Sequence, residues 1–286
     1  MVSIRRARRK QAAPATSTRP EPEPRSAATA GASAVAAPPP AMPPAAPPVN
    51  RTWRQAGPLM LLQAAHPKQA FLTAAGLAAV AALAGRPTRE MGLVFVTVLV
   101  GQAIVGWHND LVDRKRDASH ETSGKPLAQG LLEPGTAWFA IACAALLVIP
   151  LAIGNGVTAG IAYLAALVVS LLGNLVLRKG LLSWLPWAVS YALYPAFLSY
   201  GGWGGEAFGA PPEIAITALA AALGVCVHFL RALPGLVADN KDGFRHLPLR
   251  VALRLGAPRL LWITIVVTVL VVAGLLLTGS RVGLAQ

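Results

Sequence analysis

Seven apolar runs, joined by short polar connections, constrain this chain more than any other feature of its sequence. Each run is 16 to 23 residues long, and a transmembrane helix needs about 20 apolar residues. The runs cover residues 70–85, 91–107, 135–153, 157–177, 181–203, 214–230 and 260–279. The first run reaches spanning length only if its helix begins near Pro67, a residue suited to a first helical turn. We therefore predict an all-α, polytopic transmembrane helical bundle of about seven spans.

The first 54 residues are of a different kind. They are rich in Ala, Pro, Ser and Thr, and they open with a basic cluster at residues 5–10. Such a composition cannot bury a core, so we predict a disordered cytoplasmic tail over residues 1–54 and a transmembrane domain over residues 55–286. A secretory signal would require an apolar stretch directly after the basic cluster, and the sequence has none there. The tail either contacts anionic membrane lipid or only fixes the topology.

The distribution of Lys and Arg predicts the orientation. With the tail inside, 22 of the 25 basic residues fall in the tail and the inside connections, and only Arg86, Arg89 and Arg281 lie outside. This asymmetry follows the positive-inside rule and predicts an integral cell membrane protein with a cytoplasmic N-terminus. A nucleic-acid partner is not expected, because the basic residues are spread over a tail and connections rather than gathered on a folded face. Cys143 and Cys226 lie in apolar runs without metal-ligand spacing.

Carboxylates concentrate in two of the inside connections, which hold seven of the twelve Asp and Glu residues. In the segment HNDLVDRKRD, the residues Asn109, Asp113 and Asp117 are spaced by four. A continuing helix would place them on one face, with Asp110 beside them. Like charges on one face repel each other unless a cation neutralises them. Oxygen ligands without nearby Cys or His favour Mg²⁺ over zinc.

A magnesium ion held by carboxylates usually shares its remaining positions with phosphate oxygens, so a diphosphate is the natural ligand. Four basic residues lie on the same side of the membrane, and each either contacts the phosphates or only fixes the topology. They are Lys125, Arg178, Lys241 and Arg245. Aromatic side chains at 107, 184, 187, 191 and 194 are candidates for ring faces that contact a substrate, with interfacial anchoring or helix packing as the alternative.

Four segments resemble the UbiA-type membrane prenyltransferases. The residues from Asn109 to Asp117 match the family motif NDxxDxxxD, GKPLAQG resembles the RPLxxG stretch that follows it, and HPKQ at 66–69 resembles the RPxQ entrance to the first helix. The segment 231–256 follows the family's second motif in its order of Leu-Pro, Asp, Gly and Leu-Pro. The likeness runs from about residue 58 to the end.

Three departures from the family accompany this resemblance. The second motif is commonly an aspartate pair spaced by four, but Gly235 stands four residues before Asp239, so that metal site is either weak or recruits Asp242. His66 and Lys125 stand where the family usually has Arg. The family usually has nine membrane helices rather than seven, so either two are missing or one lies within residues 231–259.

The resemblance implies an intramembrane, Mg²⁺-dependent transferase that moves a polyprenyl group from a prenyl diphosphate to an aromatic or other small lipophilic acceptor. It implies catalytic roles for Asp110, Asp113, Asp117 and Asp239. It implies metal ligation by Asn109, Asp113, Asp117, Asp239 and Asp242. It implies substrate contacts by Asn109, Lys125, Lys241, Arg245, Tyr191 and Tyr194. Membrane lipid is the expected surrounding partner.

Other classes fit the sequence less well. A CDP-alcohol phosphotransferase would carry DGxxAR followed by GxxxD, and a soluble prenyl synthase would carry DDxxD; neither pattern occurs. A transporter would place charged residues within its spans, and none of the seven runs has one in its interior. A catalytically silent UbiA-like scaffold or lipid-binding membrane protein remains an alternative, because Gly235 interrupts the second motif.

Overall fold

The computed structural model describes residues 57–202 and 210–282, and within these ranges the chain contains helices and connections but no strand. The predicted tail lies outside the described residues. The ten α-helices in these two ranges are α1 Gly57–Ala64, α2 Pro67–Leu83, α3 Thr88–Ser119, α4 Pro134–Gly154, α5 Val157–Leu172, α6 Leu185–Ser199, α7 Ile214–Ala232, α8 Leu236–Lys241, α9 Leu247–Leu255 and α10 Ala257–Val282. A π-helix, Gly173–Leu177, extends α5, and 3₁₀ turns at Leu181–Trp184 and Leu233–Gly235 adjoin α6 and α7.

Each of the seven apolar runs forms a helix. Within the described residues, six helices are long and apolar enough to cross a membrane, and the seventh, α2, has 17 residues. Helix α2 begins at Pro67, as the sequence predicts. The connection 231–259 contains only the short helices α8 and α9, neither of which is long enough to span. The prediction of a polytopic helical bundle is confirmed.

The helices pack in chain order from α2 to α7, and α10 returns against α7. Small residues permit the close approaches that membrane helices use in place of hydrophobic collapse. A Cβ atom at Gly224 of α7 would lie 2.3 Å from the carbonyl oxygen of Trp187 on α6. Polar groups satisfy one another inside the bundle: the Asn155 side chain donates to the Thr97 hydroxyl over 3.0 Å, and the Tyr163 hydroxyl donates to the Thr97 carbonyl over 3.2 Å.

The connection between α3 and α4 is built from tight turns. Gly124 and Gly130 have φ values of +74° and +70°, a backbone region that favours glycine. These turns fold the segment back toward α3, and the Arg114 side chain donates to the Leu127 carbonyl over 3.3 Å. As a result, Lys125 lies beside the aspartates of α3 rather than in solvent.

Candidate active site

A cavity of about 1180 Å³ lies within the helical bundle, larger than the roughly 300–1,000 Å³ of typical small-ligand pockets. Helices α2, α3, α5, α6, α7 and α10 line it. We call one part the charged end, formed by Asp113, Arg116, Arg178, Asp239 and His246. We call the opposite part the apolar end, formed by Leu77, Val80, Ala84, Leu198 and Pro211. The cavity can therefore hold an amphipathic ligand with an anionic head and a long hydrocarbon tail.

Helix α3 supplies the largest share of the charged end. It continues without interruption to Ser119, as the spacing of its aspartates predicts. Asn109 and Asp113 line the cavity, whereas Asp117 lies one turn further and is only half-buried. The Lys125 ammonium lies 3.8 Å from the Asp117 carboxylate.

Asp110 faces a different set of partners from those of Asp113. Its side chain is nearly inaccessible, and its Oδ1 atom lies 2.8 Å from His66 Nε2 and also contacts the Lys125 ammonium. His66 adopts a left-handed backbone conformation, with φ of +53°, immediately before α2. Such a conformation is uncommon for a residue other than glycine. His66 and Lys125, which stand where the family usually has Arg, thus meet on the same carboxylate.

The π-helix after α5 brings a cation to Asp113. The Arg178 guanidinium follows this π-helix directly and contacts the Asp113 carboxylate. Asn174, inside the π-helix, also lines the cavity, and its buried amide nitrogen has no hydrogen-bond partner among the residues that the structure describes. π-Helical turns often occur at functional sites, and an unsatisfied buried donor that faces a cavity is suited to a ligand oxygen.

The second carboxylate pair, Asp239 and Asp242, is joined to α3 by Arg116. The Arg116 Nη2 atom donates to Asp239 Oδ1 over 2.6 Å, and its Nε atom donates to Asp242. The guanidinium lies 4.7 Å from the centre of the Phe244 ring. The hydrogen bonds from Arg116 and from His120 lower the pKa of Asp242, which therefore stays ionised at neutral pH.

The aspartates are thus neutralised mainly by basic side chains of the chain itself. Within the parts that the structure describes, no three His, Cys, Asp or Glu side chains converge as a metal cage. Mg²⁺ seldom uses such a cage, since one or two carboxylates and substrate phosphates usually hold it. Asp113, Asp117 and Asn109 offer such an oxygen donor set on α3, so this face fits the ion. Asp239 and Asp242 do not fit equally well, because their oxygens already accept from protein donors.

The remaining predicted residues divide between the cavity and the surface. Tyr191 and Tyr194 line the cavity, and their rings contact each other at a centroid distance of 5.2 Å. The Gln102 amide lies 3.5 Å from the Tyr194 hydroxyl. Lys241 and Arg245 are exposed and are not among the residues that line the cavity. The roles predicted for all four stay predictions.

Several cavity residues were not singled out from the sequence. Arg116 could have been found, because it lies three residues after Asp113 on the same helical face. No pattern in the sequence indicates His246, because its contact with Asp239 depends on how α9 folds back toward α8. Arg231 lines the cavity, contacts the Gln69 side chain and lies 5.2 Å from the centre of the Trp187 ring.

Comparisons with known proteins agree with this geometry. A model of the UbiA prenyltransferase family matches residues 70–285. A UbiA homolog from Archaeoglobus fulgidus bound to GPP and Mg²⁺ is similar in structure, with 18% identity, a TM-score of 0.59, and coverage of 75% of this chain and 76% of that one. The same homolog bound to DMAPP and Mg²⁺ gives 19% identity and a TM-score of 0.58, with coverage of 75% and 76%. Its Cd²⁺-bound structure gives 19% identity and a TM-score of 0.57, with coverage of 79% of this chain and 81% of that one. No curated protein matches the chain.

Proposed function

Because the chain belongs to the UbiA prenyltransferase family, we propose that it transfers a prenyl group from a prenyl diphosphate to a small lipophilic acceptor within the membrane. The observation that carries this proposal is the cavity with its charged and apolar ends. A diphosphate head fits the charged end, and an isoprenoid tail fits the apolar end. The Archaeoglobus fulgidus structures, which bound GPP or DMAPP together with Mg²⁺, support the same choice of donor.

The charged end has side chains that can donate to the phosphate oxygens of a diphosphate and side chains that can hold its Mg²⁺ ion. Arg178 and Arg116 present guanidinium N–H groups, which donate to phosphate oxygens with strong, charge-assisted hydrogen bonds. The buried amide of Asn174 provides a further donor. Asn109, Asp113 and Asp117 would hold the Mg²⁺ ion, which supplies positive charge that stabilises the departing diphosphate.

The middle of the cavity has residues for the transferred group. The bond between the allylic carbon and the diphosphate oxygen breaks, and the diphosphate leaves with the bonding electrons. A bond from that carbon to the acceptor forms, and the acceptor loses a proton, which the departing diphosphate can take. Trp187, Tyr191 and Tyr194 line this region, and their ring faces can stabilise a developing carbocation. The apolar walls exclude water, which would otherwise capture the cation. In this proposal the N-terminus is cytoplasmic and the charged end opens to the cytosol.

The proposal is tested by incubating membranes that contain the chain with labelled GPP or DMAPP and Mg²⁺. Such membranes also contain the endogenous lipophilic acceptors. We expect Mg²⁺-dependent release of diphosphate together with label on a small molecule. The Asp113→Asn variant should lose at least about 100-fold in rate, since it removes charge that acts at the transition state.

The matched control is Glu133→Gln, which neutralises an exposed carboxylate outside the cavity and should keep the wild-type rate. Wild-type turnover in Asp113→Asn would contradict the assignment of that residue. Failure of the wild-type chain to release diphosphate from any donor would instead identify it as a silent scaffold, the alternative that Gly235 suggests.

A further inference from the structure

Each oxygen of the Asp239 and Asp242 carboxylates already accepts a hydrogen bond from a basic side chain. Asp239 Oδ1 accepts from Arg116 over 2.6 Å, and its Oδ2 accepts from His246 over 2.9 Å. Asp242 accepts from Arg116 through one oxygen and from His120 over 2.9 Å through the other. A divalent ion at this pair would compete with these cationic donors for the same two carboxylates.

The donor from His246 is fixed by the fold of α9. His246 precedes this helix, and its Nδ1 atom accepts the backbone N–H of Leu249 over 3.2 Å. Nδ1 is therefore unprotonated, and Nε2 carries the proton that it donates to Asp239. His246 is only 3% exposed. If Asp239 turned toward a metal, this buried N–H would lose its acceptor, which is unfavourable for a buried donor.

Arg116 is fixed from three sides. Its planar guanidinium joins two carboxylates and also lies against the Phe244 ring, a geometry for which Arg is better suited than Lys. Nε and Nη2 serve the carboxylates, whereas Nη1 has no hydrogen-bond partner among the described residues. Because Arg116 lines the cavity, Nη1 can donate to a phosphate oxygen while the carboxylate contacts persist.

We infer that Arg116 replaces a second divalent ion, so that the chain binds its donor with one metal at Asn109, Asp113 and Asp117 and with the Arg116 guanidinium, which joins α3 to Asp239 and Asp242. This inference rests on the proposed function, because it describes how the same diphosphate is held. It also explains how the chain tolerates Gly235. With Arg116 supplying the positive charge, a second carboxylate four residues before Asp239 has no ion to bind.

The structure also indicates how a second metal site can be created. Gly235 has φ of −91°, so any residue can adopt its backbone conformation. A Cβ atom here would lie 3.3 Å from Asp239 Oδ2, the end of a side chain that can move slightly. An aspartate at this position would thus lie directly against Asp239. Combined with removal of the guanidinium, it would leave two carboxylates without their strongest cation.

The test counts the ions bound by the full chain in detergent. Free Mn²⁺ is titrated by electron paramagnetic resonance in the presence of geranyl S-thiolodiphosphate, a donor analogue that resists ionisation. We expect about one Mn²⁺ per wild-type chain and none in Asp113→Asn. The double variant Gly235→Asp/Arg116→Gln should bind about two, and its matched control Gly235→Asn/Arg116→Gln about one.

Two ions in the wild-type chain would overturn the inference, even if that chain released diphosphate with Mg²⁺ as proposed. No ion and no diphosphate release would overturn the proposed function as well, so the two failures are distinguishable. The wild-type count decides the question even if a variant fails to fold. An unchanged count of one in the Gly235→Asp/Arg116→Gln variant, folded by circular dichroism, would also argue against the exchange of guanidinium for metal.

Discussion

Asp110 is the most deeply buried of the five aspartates in the two motifs, with 2% exposure against 9% for Asp113 and 8% for Asp239. A buried carboxylate is tolerated only while it is paired and hydrogen-bonded. Here one oxygen contacts both His66 and Lys125, and the other has no hydrogen-bond partner within the described part of the chain. Asp110 therefore depends on two side chains from outside α3, which ties the start of α2 and the α3–α4 connection to one group.

Lys125→Met tests this dependence, because it removes the ammonium and leaves Asp110 with His66 alone. We expect a loss of about 3–5 kcal/mol in stability, the usual cost of breaking a buried ion pair by removing one partner. Thermal unfolding in detergent is the measurement. Lys125→Arg, which keeps the charge, is the matched control and should lie closer to the wild-type chain. Equal stability of Lys125→Met and the wild-type chain would show that Asp110 does not depend on the Lys125 ammonium.

Arg178→Gln tests the phosphate contact proposed for the residue after the π-helix. Losing a charge-assisted hydrogen bond costs about 1.5–3 kcal/mol, which corresponds to roughly ten- to hundredfold weaker donor binding. The dependence of diphosphate release on donor concentration measures this change. Lys115→Gln, which removes an exposed cation from α3, is the control and should leave the dependence unchanged. Wild-type donor affinity in Arg178→Gln would place the diphosphate elsewhere.

At the scale of elements, the contact of α6 with α7 depends on the absence of a side chain. A Cβ atom at Gly224 would meet the Trp187 carbonyl oxygen at 2.3 Å and the Tyr191 Cβ atom at 2.8 Å. Gly224→Ala should therefore push α7 from α6 and cost about 1–3 kcal/mol. Gly92→Ala on α3, where a Cβ meets nothing within 4 Å, should be neutral or slightly stabilising. Equal melting temperatures for the two variants would contradict this packing.

The sequence predicts elements better than it predicts the connections between them. The apolar runs identify all seven long helices, because the length and hydrophobicity of a span are set by the membrane and not by its neighbours. The motif aspartates are found for the same local reason, since a spacing of four fixes one helical face. The ion pairs of Arg116 with Asp239 and of Arg178 with Asp113 join residues from separate helices. Nothing in the local pattern determines such pairs, so the sequence leaves them open.

At the scale of the whole molecule, the orientation is a prediction that labelling can test. The positive-inside rule places the α3–α4 connection inside and the end of α10 outside. In a chain with both native cysteines replaced by Ala, Ser280→Cys should react with a membrane-impermeant maleimide in intact cells. Ser123→Cys, equally exposed in the structure, should react only after permeabilisation. The reverse pattern would invert the topology and place the charged end outside the cell.

The extent of the cavity predicts how donor length affects turnover. From His66 to Ala84 the chain follows α2 along the cavity wall, and at 1.5 Å per residue this is about 27 Å. A short donor such as DMAPP ends well before Ala84, whereas a donor of several isoprene units extends toward it.

Ala84→Trp fills the apolar end and should slow the reaction of long donors at least about tenfold, because they must bend or displace the indole. DMAPP should react as before. Rates compared across donors of increasing length provide the measurement, with Ala84→Ser as the control of similar size. Equal slowing of every donor would show that the tail lies elsewhere, such as between α2 and the surrounding lipid.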